Sequence, residues 1–348
     1  MDFFKKLLNK HQVLGHDVTD ETLENQLGLH LTSFIKQKSY SLFRTDIILE
    51  RLAQFAVQGK SAHIAALLNI RPDLRIKILF TLAGLGAQDK MQAILKEHPE
   101  DLLLVHPLTD ISGAQFSSVT LLQHAIWTQD LGHMGIMFLD CLPRNEQGEQ
   151  IRRALKKQFS DLFTHGVVYQ LKGEEHKERH FNLMNLIKAL STYVSNYQNW
   201  IPSERQMYWC SEVGSQQQRL PAIVRHHYCD YDELFRNNPS FSKPHLTRSL
   251  TISYDTPNSY EALEKITTWS ESLSGLGSDF GICRGISMVY PYQETAPELR
   301  DAAIDLMALE TLQRVRNDWD MRKFIKRLNT PIQNQKEDVF TMECIKPK

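Results

Sequence analysis

Glycine and proline are scarce in this chain, at 16 and 13 of 348 residues, about 8% against a usual ~12%. The scarcity disfavours a turn-rich all-β architecture and favours helices. Long apolar runs are missing, since no uninterrupted stretch approaches the roughly 18–20 residues that a membrane-spanning helix needs. The opening Met1-Asp2-Phe3-Phe4-Lys5-Lys6-Leu7-Leu8 is broken by two lysines before a signal-type apolar core of about 7–15 residues can form. Sec-type export is therefore not expected. No excess of one charge exists: 40 Lys+Arg oppose 41 Asp+Glu, for a net charge of -1, which supplies no global field for nucleic acid or anionic lipid. Closely spaced cysteines are lacking too. Cys141, Cys210, Cys229, Cys283 and Cys344 are an odd, scattered set, as expected of reduced thiols.

What is present fits an ordinary globular protein. Hydrophobic residues are 42% and charged residues 23%, which excludes wholesale disorder. At roughly 150 residues per domain, the length points to about two domains with a real core.

The most informative pattern is a repeat. From Gly59 the chain runs to Leu67-Leu68 and Pro72, from Gly86 to Ile94-Leu95 and Pro99, and from Asp130 to Phe138-Leu139 and Pro143, at the same offsets each time. An apolar helical stretch precedes each copy, at 47–57, 76–85 and 120–127. Each unit reads as helix, turn, helix, proline stop, because a short apolar-faced helix must bury that face on a neighbour and proline ends its propagation. Thr120-Leu121-Leu122-Gln123-His124-Ala125 is a partial match to the ankyrin signature. The expected fold is mainly α, with short degenerate ankyrin-like helix pairs followed by a helical module with a few short β-strands (α+β). Expected divisions are N-terminal helices over 1–45, repeats over 46–148, a helical linker over 149–200 and an aromatic, Cys-containing module over 201–348.

Within the repeats, residues 105–119 read as a connecting loop or finger, with Asp110, Ser112, Gln115 and Phe116 as candidate partner-contacting residues. Further on, 149–161 and 177–197 read as helices, 250–254 and 286–290 as short strands, and 297–328 as a long helix burying Leu312, Trp319 and Phe324. Arg314, Arg316, Arg322, Lys323, Lys326 and Arg327 gather toward the end of that helix, where cations complement the helix dipole.

Several segments together, among them Thr109-Asp110-x-Ser112-Gly113, Ala125-x-Trp127, Trp209-Cys210-x-x-Val213-Gly214, Leu220-Pro221, Tyr228-Cys229 and Leu276-Gly277-x-Asp279-Phe280, resemble a module of secreted effector proteins of Legionella-type bacteria. The resemblance spans roughly residues 85–330. It implies a helical, partly ankyrin-like protein delivered by a type IV secretion system from the bacterial cytoplasm into the host cytosol. Residues 335–348 are the candidate export signal. The resemblance implies no catalytic residues.

Three sets of chemistry-bearing residues stand apart from that resemblance. Cys210 with His227 or His226 and a carboxylate such as Asp230 or Asp232 has the residue types of a thiol hydrolase or transferase, in which an imidazole raises the thiolate fraction and a carboxylate orients the ring. No oxyanion-hole motif accompanies it. Cys210, His227, Cys229 and His245 lack the close ligand pairs of a structural zinc site. The glycine-rich 275–281 stretch lacks the Walker lysine and the complete dinucleotide fingerprint. The expectation is an interaction protein that binds a host protein through the repeat face and the 105–119 loop, with no cofactor, no metal, no nucleic-acid partner and no transmembrane segment. The thiol enzyme, and a peripheral membrane protein touching lipid through Phe3 and Phe4, are the alternatives.

Overall fold

The computed structural model describes residues 72–230, 232–243, 245–248, 250–252, 267–268, 276–285 and 296–335, together with Ile64 and Leu68. Expectations for residues 1–45, Phe3 and Phe4, most of the first repeat copy, the 286–290 strand, Cys344 and residues 336–348 fall outside this set. The chain divides into two compact units, 1–75 and 76–348.

The second unit is mainly helical with a small sheet, an α+β fold. Helix α1 (Arg75–Gly84) buries Ile78, Leu79 and Leu82, the spacing of one helical face. Gly86 follows at φ +67, a left-handed conformation that costs glycine little. Helix α2 (Gln88–Glu97) then buries Met91, Ile94 and Leu95. It stops before Pro99, which has no N–H to offer and disfavours helical geometry at His98. The third copy is built the same way. Thr120 opens α3 (Leu121–Trp127) with a capping box, its hydroxyl accepting from the Gln123 amide at 3.2 Å while the Gln123 side chain accepts from the Thr120 amide at 2.9 Å. A π-helical turn, Leu131–Gly135, leads into α4 (Ile136–Asp140). The second and third copies thus form helix–turn–helix pairs.

Between them, 105–119 is not a loop. It is a β-hairpin of β1 (His106–Thr109) and β2 (Gln115–Val119). Asn145 caps the long helix α5 (Glu146–His165), and a second hairpin, β3 (Val167–Leu171) and β4 (Glu174–Glu178), follows it. Lys172 and Gly173 both take positive φ in its two-residue turn, which suits the twist of paired strands. The hairpins join edge to edge in the antiparallel order β1-β2-β3-β4, with Gln115 opposite Gln170. Leu108, Phe116, Val167 and Tyr169 point inward, whereas Thr109, Gln115, Ser117, Val168, Gln170, Glu175 and Lys177 are exposed.

The expected helix over 177–197 begins only at Met184, as α6 (Met184–Asn196). Helix α7 (Pro202–Tyr208) continues through a π turn, Trp209–Gly214, into the short α8 (Ser215–Gln217), and α9 (Ala222–Cys229) follows. The glycine-rich stretch makes a tight turn against that π turn: the Gly277 amide donates to the Phe280 carbonyl at 2.9 Å, and a Cβ on Gly214 would lie 2.5 Å from the same oxygen. Strands β5 (Thr251–Ile252) and β6 (Thr267–Thr268) pair antiparallel, the first of them inside the expected 250–254 strand. The last long helix is α10 (Leu299–Arg314), a π turn at Val315–Asp320, and α11 (Met321–Asn329). Its π turn inserts an extra residue and rotates the following side chains. Trp319, expected in the core, is consequently 52% exposed, while Leu312 and Phe324 are buried. Among the described residues no helix is long and apolar enough to cross a membrane.

Candidate functional site

In the structure the side chains of Cys210, His227 and Asp230, the expected thiol site, have different partners. Cys210 lies buried on the Trp209–Gly214 π turn, its Sγ donating to the Asp279 carbonyl at 3.1 Å and accepting from Gln206 Nε2 at 3.3 Å. Burial pushes its thiol up, against the trend a nucleophile needs. His227 takes a hydrogen bond from Arg316 instead. Asp230 pairs with Lys243 at 3.2 Å and accepts the Asp232 amide at 3.0 Å. Neither of these Cys210 hydrogen bonds reaches an imidazole. Cys141 and Cys229 are pushed up to about 12 by burial. The described cysteines are buried thiols outside any disulfide, and among the described residues no His, Cys, Asp and Glu group is arranged to hold a metal ion.

The four expected partner contacts divide as well. Asp110 is buried: its carboxylate accepts the Ser112 amide at 2.8 Å, closing the β1–β2 turn, and meets His124 Nε2 at 3.0 Å. Phe116 is buried against Trp127, with ring centroids 5.0 Å apart, and against Tyr169 at 5.4 Å. Ser112 is also buried and accepts from the Ala114 amide at 3.4 Å. Gln115 alone faces solvent. Strand alternation sets Gln115 and Phe116 on opposite faces of β2, whereas Asp110 and Ser112 are held in the turn before it.

The most concentrated polar chemistry lies where the two π turns, Leu131–Gly135 and Val315–Asp320, touch. Asp130 caps the first turn, accepting from the Met134 amide at 3.2 Å, and is clamped by Arg248 through Nη1 at 2.7 Å and Nη2 at 3.2 Å. Arg248 also reaches Gln88 at 2.6 Å. His133 donates from Nε2 to the Lys243 carbonyl at 2.9 Å, which leaves Nδ1 unprotonated toward Arg316 Nη1 at 3.5 Å. Arg316 donates to Asp320 at 2.7 Å and to His227 Nε2. His227 Nδ1 must then carry the proton, and it has no hydrogen-bond partner among the described residues.

Burial, aided by the nearby arginine charge, lowers His133 to about 3 and holds His227 well below its ordinary value. Both imidazoles are neutral. Burial would raise Asp130, but Arg248, with Arg316, outweighs it and keeps this carboxyl below the usual range. Burial raises Asp320 despite Arg316. Two arginines and two aspartates form an enclosed ionic centre. The adjoining cavity, bounded by Gly86, His124, Thr128 and Asp130, has room for about one water. A Cβ on Gly132 would lie 2.3 Å from Asp320 Oδ1, so glycine lets the two π turns approach. Sequence reasoning misses this centre because its members are spread from residue 130 to residue 320. The π turns that bring them together leave no local pattern.

A second buried acid lies on α10. Asp305 is fully buried, both its oxygens accept the Arg284 amide, at 2.9 and 3.0 Å, and burial raises its pKa to about 7. A carboxyl raised in the folded state contributes stability that is fully present below the unfolded value, near 4, and is lost as pH rises through 7. The stability of wild type minus that of Asp305→Asn is therefore expected to fall by on the order of 4 kcal/mol between about pH 4 and pH 7. Urea unfolding of both proteins across that range checks this, and a flat difference would refute it.

Residues 185–328, which carry much of this chemistry, match the CBUA0006 C-terminal domain family. A protein of Coxiella burnetii (strain RSA 493 / Nine Mile phase I), described as uncharacterized protein CBUA0006, is 28% identical over 261 residues, 71% of this chain and 73% of that protein. No solved structure matches. The matched segment contains Cys210, His227, Arg248, Asp305 and Arg316, whereas Asp130 and His133 lie before it. The ionic centre is therefore assembled from both sides of the segment's boundary.

Proposed function

We propose that this chain is an interaction protein that binds a host protein through the outer face of its four-stranded sheet, after delivery by a type IV secretion system. The observation that carries the binding part is the open face itself. Thr109, Gln115, Val168, Gln170, Glu175 and Lys177 cross all four strands with their side chains in solvent. Val168 is 43% exposed, and Leu104 and Val105 stand exposed just before β1. A polar field around a few apolar side chains is the usual composition of a non-obligate interface. Gln115, the one solvent-facing member of the expected contact set, sits on this face. The segments that resemble Legionella-type effectors support delivery, and the helix pairs on either side of the first hairpin support the ankyrin-like reading.

Tagged wild type is expected to retain a protein from host lysate that the double variant Val168→Glu, Gln115→Arg loses by at least about tenfold, the effect of spoiling an interface centre. The variant should melt with wild type, since both positions are exposed. Equal capture of the same protein by the double variant would end the sheet-face reading. A reporter fusion that enters host cells equally from a secretion-competent and a secretion-deficient strain would end the delivery reading.

A further inference from the structure

The six cations near the end of the last long helix are sorted by the structure into two groups. Arg316 turns inward to Asp320 and His227, and Arg327 reaches Asp140 at 2.8 Å. Arg314, Arg322 and Lys326 are exposed and Lys323 is half-exposed. Trp319 lies among these four. Arg322, Lys323 and Lys326 lie within little more than one turn of α11, Arg322 and Lys326 at i, i+4, and Trp319 stands exposed just before them near the end of the π turn. Opposite them Phe324 and Leu328 face the core, with Phe324 meeting the Phe159 ring of α5 at 5.7 Å. The acid of the outer group, Asp318, lies 3.9 Å from Arg322 with both side chains largely in solvent, where such a pair holds little.

We infer that this face is a docking surface for an anionic phospholipid bilayer. The whole chain carries a net charge of -1, so Arg322, Lys323 and Lys326 set against the exposed Asp318 are a local excess whose field falls off within about a Debye length. A partner must present dense negative charge close to the helix. An indole flanked by lysine and arginine suits the headgroup boundary, where the ring sits among the upper acyl chains and the cations meet phosphates and serine carboxylates. This surface lies away from Phe3 and Phe4 in sequence and is independent of the sheet face.

Flotation of the full chain with phosphatidylcholine vesicles, with and without about 30 mol% phosphatidylserine, tests the inference. Binding is expected only with phosphatidylserine and should fall at least about tenfold between roughly 0.1 and 0.5 M salt, as surface electrostatics are screened. Trp319→Ala and Lys326→Glu should each reduce binding at least about tenfold while melting with wild type, because both side chains are exposed. Phe3→Ala/Phe4→Ala should bind as wild type. Equal flotation with neutral vesicles would overturn the inference. So would binding that survives both Trp319 and lysine variants, binding lost in the Phe3/Phe4 variant alone, or tighter binding to a DNA duplex than to the anionic vesicles.

Discussion

Arg248→Met is expected to lower the free energy of unfolding by about 3–5 kcal/mol, the usual cost of removing one partner from a buried ion pair. Arg248 holds both oxygens of Asp130, and methionine fills similar space without offering a donor. Asp130 would then keep one amide bond from Met134 and an unbalanced charge in an enclosed site. The energetic cost comes from the stranded carboxylate more than from the lost pair. Arg248→Met combined with Asp130→Asn, which leaves neither charge, should therefore be clearly more stable than Arg248→Met alone. Urea unfolding of the four proteins of the cycle decides the matter. A single variant within about 0.5 kcal/mol of wild type would mean that the clamp contributes nothing to the fold.

Leu95→Asp is expected to be at least as severe, on the order of 5 kcal/mol or more, enough to leave this unit unfolded at ordinary temperature. Leu95 is wholly buried on α2, and α2 packs against α4. Truncation alone would cost about 2–5 kcal/mol, which Leu95→Ala would measure. The aspartate adds the desolvation of a charge. Its carboxyl would be raised in the folded state, so the excess damage of Asp over Ala should shrink as pH falls toward about 4. Thermal melts of the two variants at neutral pH and near pH 4 give this comparison. Equal melting temperatures for Leu95→Asp and wild type would place residue 95 outside the core and refute the helix-pair register.

How much of this is legible in sequence depends on the range over which each feature is encoded. The helix pairs are readable because their apolar spacing, Gly86 and Pro99 lie close to the turns and stops they specify. The sheet is not: β4 reads Glu-Glu-His-Lys-Glu, without an apolar alternation, and β1 contains Pro107, tolerable because β1 pairs on one side only. Asp110 reads as a surface turn residue since its local role, holding the Ser112 amide, is that of a turn; its second bond, to His124, comes from a helix beyond β2. Cys210 has plausible partners by residue type, yet α9 directs His227 toward Arg316. Trp319 falls in the core only if roughly 3.6 residues per turn are counted through a helix that in fact contains a π turn.

The crossing of residue 185 by so many interactions bears on what the matched segment is. Arg248 closes on Asp130, Arg316 sits beside His133, Phe324 lies against Phe159, His226 meets the Leu85 carbonyl and Arg152 donates to that of Leu328. The stretch 185–328 is thus a unit of resemblance and not a self-sufficient folding unit. Its inner surface is completed by helices laid down earlier in the chain, and a fragment cut at that boundary would carry two buried arginines whose counter-charges and imidazole neighbours are partly left behind.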